Sequence, residues 1–268
     1  MKISVIFGTR PEAIKLAPVI MALIKKFRVE VDVCVTAQHR KMLDETLAVF
    51  GITPDTDLDL MRPGQTLAQL TIRAVLALDG YLGKYKPDAI LVQGDTTTVL
   101  CGALTAFYHK IKIGHVEAGL RTYQKYAPFP EEANRVLTSH LADWHFAPTE
   151  TARQSLLKEG IADSKIFVTG NTVIDALYMV REKAKTKEFD EFPELKSLHS
   201  TFDIGHSTMV LITGHRRESF GGGFEQICGG IKKIAQKFPE IQVVYPVHLN
   251  PNVQQPVKKI LGGLKNVP

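Results

Sequence analysis

Val- and Ile-rich runs of four to eight residues alternate with longer amphipathic stretches along most of this 268-residue chain. By length and β-branched content, Ile3–Phe7, Val29–Thr36, Ala89–Gln93, Ile111–Val116, Trp144–Ala147 and Ile166–Thr169 read as strands. Between them, Pro11–Phe27, Arg40–Phe50, Leu67–Lys84, Val99–His109 and Glu131–Ala142 carry helical periodicity. Thr9-Arg10-Pro11-Glu12 has the order of a capping box, with Pro inside the first turn. A strand that feeds a helix before the next strand returns by a crossover. The strands therefore run parallel, and helices cover both faces of the sheet. The expected class is α/β, doubly wound.

The pattern changes after Gly170. Thr172–Lys185 reads as one more helix, and Thr186–His206 is polar and carries Pro193. Alternation restarts with strand Met209–Thr213, helix Phe224–Phe238, strand Val243–Val247 and helix Val253–Leu261. This predicts a Rossmann-like domain over residues 1–170, a connector over 171–206 and the opening of a second domain over 207–268. Two clear strands are few for a doubly wound sheet, so the second domain is expected to be truncated. Gly170-Asn171 is the expected hinge, with a cleft between the domains.

Composition narrows the function. The net charge is +5, but the basic residues are scattered among 28 acids, which argues against a nucleic-acid partner. Cys34, Cys101 and Cys228 stand far apart, without the spacing of a thiolate metal site or a disulfide framework. No H-E-x-x-H pattern is present, and no metal is expected. Neither a signal-peptide core nor a membrane-spanning run is found, and a cytoplasmic protein without a membrane partner is expected.

In an open parallel sheet, ligands bind beyond the carboxyl ends of the strands. The first strand is followed by Gly8-Thr9-Arg10-Pro11-Glu12, with Lys15 one turn into the helix. A glycine turn, a helix N-terminus and two cations suit a phosphate. Neither G-x-G-x-x-G nor the P-loop pattern occurs, so no dinucleotide cofactor is expected. Asp95 follows the third strand, where it either caps the next helix or faces a cleft, and Glu117 follows the fourth. Glu131 opens a helix, where an acid is commonplace. Three carboxylates at successive strand ends nevertheless suit acid–base work, because like charges in one cleft raise one another's pKa. Gly214-His215-Arg216-Arg217, before a Gly-rich helix start, forms a second anion-binding arrangement, and His248 follows another strand.

These segments together resemble the non-hydrolysing UDP-N-acetylglucosamine 2-epimerases, a two-domain, GT-B-like family. The matching stretches are Phe7-Gly8-Thr9-Arg10-Pro11-Glu12, Thr36-Ala37-Gln38-His39-Arg40, Gln93-Gly94-Asp95-Thr96, His115-Val116-Glu117-Ala118-Gly119-Leu120-Arg121, Pro130-Glu131-Glu132-Ala133-Asn134-Arg135, Thr169-Gly170-Asn171-Thr172 and Thr213-Gly214-His215-Arg216-Arg217-Glu218. They span the chain in the family's order and stop short of the family's C-terminal portion.

The resemblance implies reversible epimerisation of UDP-N-acetylglucosamine to UDP-N-acetylmannosamine, serving bacterial-type cell-surface polysaccharide synthesis in a homodimeric enzyme without cofactor. The sugar C2–H is not acidic. Family chemistry therefore eliminates UDP across C1–C2 to 2-acetamidoglucal and adds it back with the proton on the other face. By motif match, Asp95, Glu117, Glu131 and His215 are catalytic, while Arg10, Lys15, Arg135, Arg216 and His248 bind the substrate. Spacing leaves open which carboxylate is the base. Some bacterial members hold a second UDP-N-acetylglucosamine through the segment matching Gln38 and His39. The family's basic residue before Gln65 is Gly64 here, which weakens that expectation. The neighbouring readings are a hydrolysing 2-epimerase, a GT-B glycosyltransferase and an inactive nucleotide-sugar-binding fragment.

Overall fold

The computed structural model describes residues 1–36, 40–62, 64–186, 208–214, 221–248 and 250–267. It forms two compact units, Met1–Lys185 and Thr186–Pro268. In the first unit the strands are β1 (Lys2–Phe7), β2 (Glu30–Val35), β3 (Thr56–Asp57), β4 (Ala89–Gln93), β5 (Lys112–Val116), β6 (Trp144–Ala147) and β7 (Ile166–Val168). The helices are α1 (Arg10–Ile24), α2 (Arg40–Phe50), α3 (Leu67–Tyr85), α4 (Thr97–Tyr108), α5 (Glu131–Leu141), α6 (Glu150–Lys158) and α7 (Val173–Thr186).

All seven strands are parallel, in the order β3-β2-β1-β4-β5-β6-β7. β1 pairs in register from Lys2 opposite Glu30 to Phe7 opposite Val35, and on its other side Ile3 faces Ala89. Because β1 is central, it is apolar on both faces: Val5, Ile6 and Phe7 are fully buried. One core holds Ile6, Leu78, Leu82, Ile90 and Ile113 on the α3–α4 side. The other holds Val5, Phe7, Leu16, Ile20 and Leu43 on the α1–α2 side. Each such side chain stabilises by roughly 1.5–3 kcal/mol relative to exposure. α7 packs with this unit, Ala176 lying against Ala17 and Phe50.

The second unit contains β8 (Met209–Leu211) and β9 (Gln242–Val244), paired in parallel, with α8 (Gly222–Lys237) and α9 (Pro251–Leu261). Phe224, Cys228, Ile231, Val243, Tyr245, Val253 and Leu261 form its core. Beyond α9, the Asn266 carbonyl accepts from the Val243 N–H (2.8 Å), continuing the pairing edge of β9. All three cysteines are buried and unpaired. Among the described residues no helix is long and apolar enough to cross a membrane.

One local expectation is corrected. Thr9 is the N-cap of α1, yet its side chain accepts no cap hydrogen bond. Its hydroxyl donates to the buried Glu12 carboxyl instead (2.6 Å), a bond that sets the orientation of the Thr9 side chain. The complete capping box lies at Thr66 and Gln69, before α3.

Candidate active site

The connections after β1 and β4 leave in opposite directions, since β1 leads to β2 on one side and β4 to β5 on the other. Neighbouring strands with diverging connections open a crevice at their carboxyl ends, the switch point of a doubly wound sheet. Gly8–Glu12 follows β1 there, Gly94–Thr96 follows β4, and Glu117 follows β5.

Glu117 sits just past β5 with a left-handed φ of 62°. A non-glycine residue held in that region stores of order 1–2 kcal/mol, which the surrounding contacts offset. Those contacts converge on its carboxylate. Lys15 Nζ donates to both oxygens (2.6 and 2.7 Å), Gln93 Nε2 to Oε2 (2.6 Å) and Asn171 Nδ2 to Oε1 (3.0 Å). The Glu117 side chain is 10% exposed, so these donors replace most of its hydration. Lys15, expected to face a phosphate, is thereby engaged with Glu117. Arg10 stands exposed at the first position of α1, with no hydrogen bond or ion pair among the described residues.

Asp95 lies beside Arg135, whose Nη2 is 3.4 Å from its Oδ2. Burial pushes the Asp95 carboxyl up, Arg135 draws it back, and Glu131 and Glu117 raise it further; the net shift is upward. The three predicted carboxylates thus share one electrostatic neighbourhood. Glu131 begins α5, half-buried, and forms no hydrogen bond or ion pair among the described residues. Arg135 is buried between Asp95 and Glu132, 3.3 Å from Oε2 of the latter. Glu132 in turn accepts from the backbone N–H groups of Thr122 and Tyr123 (3.0 and 2.9 Å), fastening the loop before α5. Burial pushes its carboxyl up, but those two N–H groups and Arg135 outweigh it and hold it below the ordinary value. Arg121, a motif residue without a predicted role, fastens the same loop through a bidentate pair with Glu159 (2.7 Å for both bonds).

Two buried groups behind the carboxylates were not singled out from sequence. His115 donates its Nε2–H to the Gly94 carbonyl (2.7 Å), fixing the turn that carries Asp95, and its Nδ1 has no partner. Burial drives its pKa down to about 4, so the ring is neutral. Glu12 is 2% exposed and accepts from Gly8 N–H (3.2 Å), Thr9 Oγ1 (2.6 Å) and Thr96 Oγ1 (2.9 Å). Burial raises its pKa to about 7, against these bonds. Gln93 and Asn171 were visible only as motif letters. Their distance from Glu117 along the chain, 24 and 54 residues, hides the contact.

In the second unit, His248 accepts from the Asn250 N–H at the start of α9 (3.1 Å). Tyr245 donates to the Gly214 carbonyl (2.6 Å), anchoring the segment after β8. His215, Arg216, Gln38 and His39 lie outside the described residues.

The first unit is therefore a Rossmann-like α/β domain whose switch point gathers Asp95, Glu117 and Glu131 with Lys15 and Arg135, an arrangement that suits acid–base chemistry. A profile of the UDP-N-acetylglucosamine 2-epimerase family matches residues 21–268. The chain is 57% identical over 267 residues to the Yersinia pestis UDP-N-acetylglucosamine 2-epimerase and 56% identical over 267 residues to that of Escherichia coli K12; both alignments cover 100% of this chain and 70% of the relative. The crystal structure of the Neisseria meningitidis UDP-GlcNAc 2-epimerase bound to UDP-GlcNAc superposes with a TM-score of 0.90 at 48% identity, over 100% of this chain and 71% of that one. The Methanocaldococcus jannaschii enzyme in complex with UDP-GlcNAc and UDP gives 0.80 at 34% identity, over 100% and 72%. The chain belongs to the UDP-N-acetylglucosamine 2-epimerase family.

Proposed function

We propose that this enzyme interconverts UDP-N-acetylglucosamine and UDP-N-acetylmannosamine by eliminating UDP across C1–C2 and re-adding it. The observation that carries the reading is the cluster of Asp95, Glu117 and Glu131 with Lys15 and Arg135 at the switch point. Such a step needs one group to take the C2 proton, another to return it on the opposite face, and cations for the departing pyrophosphate. Glu117, oriented by Lys15, Gln93 and Asn171, suits the base. Asp95, with its pKa raised, suits the acid, and Glu131 positions the sugar. Arg10, His215, Arg216 and His248 are assigned to the UDP, with Gln38 and His39 kept for an effector. The product is an activated sugar for cell-surface polysaccharide made in the cytoplasm. Exposed Ile72 and Leu76 of α3 and Phe107 and Tyr108 of α4 support a homodimer.

The test is proton NMR of UDP-N-acetylglucosamine incubated with the protein in D2O. Deuterium at C2 in both epimers, with UDP-N-acetylmannosamine formed, is the expected result. Free N-acetylmannosamine with UDP would replace the proposal by the hydrolysing reaction. Asp95→Asn should lower kcat about 100-fold with little change in KM, as for the loss of a general acid.

A further inference from the structure

The turn after β1 and the turn after β4 come from segments more than 80 residues apart, yet both are tied to one side chain. Glu12 sits at the third position of α1 with its carboxylate turned back under the switch point. Oε2 takes the Gly8 N–H and the Thr9 hydroxyl; Oε1 takes the Thr96 hydroxyl. Thr96 adjoins Asp95, and its Oγ1 also accepts from the Val99 N–H (3.3 Å) as the cap of α4. Thr9 adjoins Arg10. We propose that Glu12 is a positioning residue, a strut that holds the anion-binding turn after β1 in register with the turn carrying Asp95. The inference rests on the site assignment above and deepens it.

Geometry and chemistry agree on this role. Glu12 is a buried acid with no cation against it among the described residues, which is costly. The cost is offset because a carboxylate supplies acceptors to all three donors at once. A glutamine there offers one oxygen and one NH2, so one threonine hydroxyl must turn from donating to accepting. Burial leaves Glu12 titrating at about 7. Protonation turns one acceptor into a donor, and one threonine hydroxyl must then reverse its bond. Among the described residues the groups facing the carboxylate are uncharged: the Gly8 and Thr9 N–H groups and the hydroxyls of Thr9 and Thr96. The charges on the flanking elements are Arg10 and Lys15 on α1, Asp95 after β4 and Glu117 after β5, and burial with hydrogen bonding, not these charges, sets the shift. The strut is complete when Glu12 is ionised, so turnover should decline as pH falls through about 7.

Glu12→Gln in the intact enzyme tests this. A misplaced catalytic turn lowers kcat about ten-fold and leaves KM within about two-fold. The limb of the kcat–pH profile near neutrality should also flatten in Glu12→Gln, which a merely destabilised fold would not produce at a temperature where the variant is fully folded. Thr9→Val, which removes one donor and leaves the carboxylate, should lower kcat in the same sense; Thr9→Ser, which keeps the hydroxyl, should recover most of it. A folded Glu12→Gln with wild-type kcat and an unchanged pH profile overturns the proposal. If Glu12→Gln fails to fold, equal kcat in wild type, Thr9→Val and Thr9→Ser overturns it instead. Should Asp95→Asn retain full turnover, the site assignment fails and not the strut alone. An inert Asp95→Asn beside an unaffected Glu12→Gln defeats only the strut.

Discussion

Acidification interrogates the histidine behind Asp95. His115 is fully buried on β5 and spends its one N–H on the Gly94 carbonyl. Burial disfavours its cation first, the Gly94 carbonyl favours it, and His145, Arg121 and Arg135 disfavour it further. The folded ring holds its pKa at about 4, whereas the unfolded chain titrates near the ordinary 6.5. A depressed folded pKa means that the unfolded state binds the proton more readily. The stability supplied by neutral His115 is therefore whole above 6.5 and is lost as pH falls towards 4. At about 1.36 kcal/mol per pH unit, the loss is roughly 2 kcal/mol at about pH 5 and roughly 3 kcal/mol at about pH 4. His115→Gln keeps an N–H for Gly94 but cannot titrate. Urea unfolding of both proteins at about pH 7 and about pH 5 should show the wild-type advantage shrinking by roughly 2 kcal/mol. Other titrations, Glu12 included, cancel in the difference between the two proteins. A difference independent of pH would refute the reasoning, because His115 would then titrate alike in both states.

Gly119 has φ +89°, and a Cβ there would stand 2.2 Å from the Ala152 carbonyl oxygen of α6. Gly119→Ala should therefore lower stability by roughly 3 kcal/mol in thermal unfolding, and a change under about 0.5 kcal/mol would contradict the packing. Arg121, 1% exposed in its side chain, is paired with Glu159. Arg121→Met leaves the partly buried Glu159 carboxylate unpaired and should cost about 1–3 kcal/mol in urea unfolding, and the double change to Met and Gln should recover part of it.

The alternation of apolar runs and amphipathic helices was sufficient to place β1, β2 and β4–β7 to within about two residues, because a fully buried parallel strand must be apolar along its length. β3 escaped, being only Thr56-Asp57, with no apolar run to betray it. Asp95, Glu117 and Glu131 were legible because their loops follow strand ends, and strand ends of a parallel sheet share one edge. Sequence could not reveal that Lys15 serves Glu117 rather than standing free, nor that Gln93 and Asn171 complete that carboxylate's shell. Those contacts exist because parallel crossovers stack segments distant along the chain at one switch point. Glu12 illustrates the same limit. Its spacing from Thr9 matches a surface capping box, a purely local device, and the sequence accordingly assigned it to a helix end. Only the packing of β1 beside β4 buries that carboxylate under Thr96, and burial is what turns a cap into an acid poised near neutrality. Sequence determined the elements, their order and the edge on which chemistry sits, since these follow from local periodicity and chain direction. Tertiary structure alone decided which charges are paired and which are desolvated, because both depend on neighbours that no spacing along the chain can name.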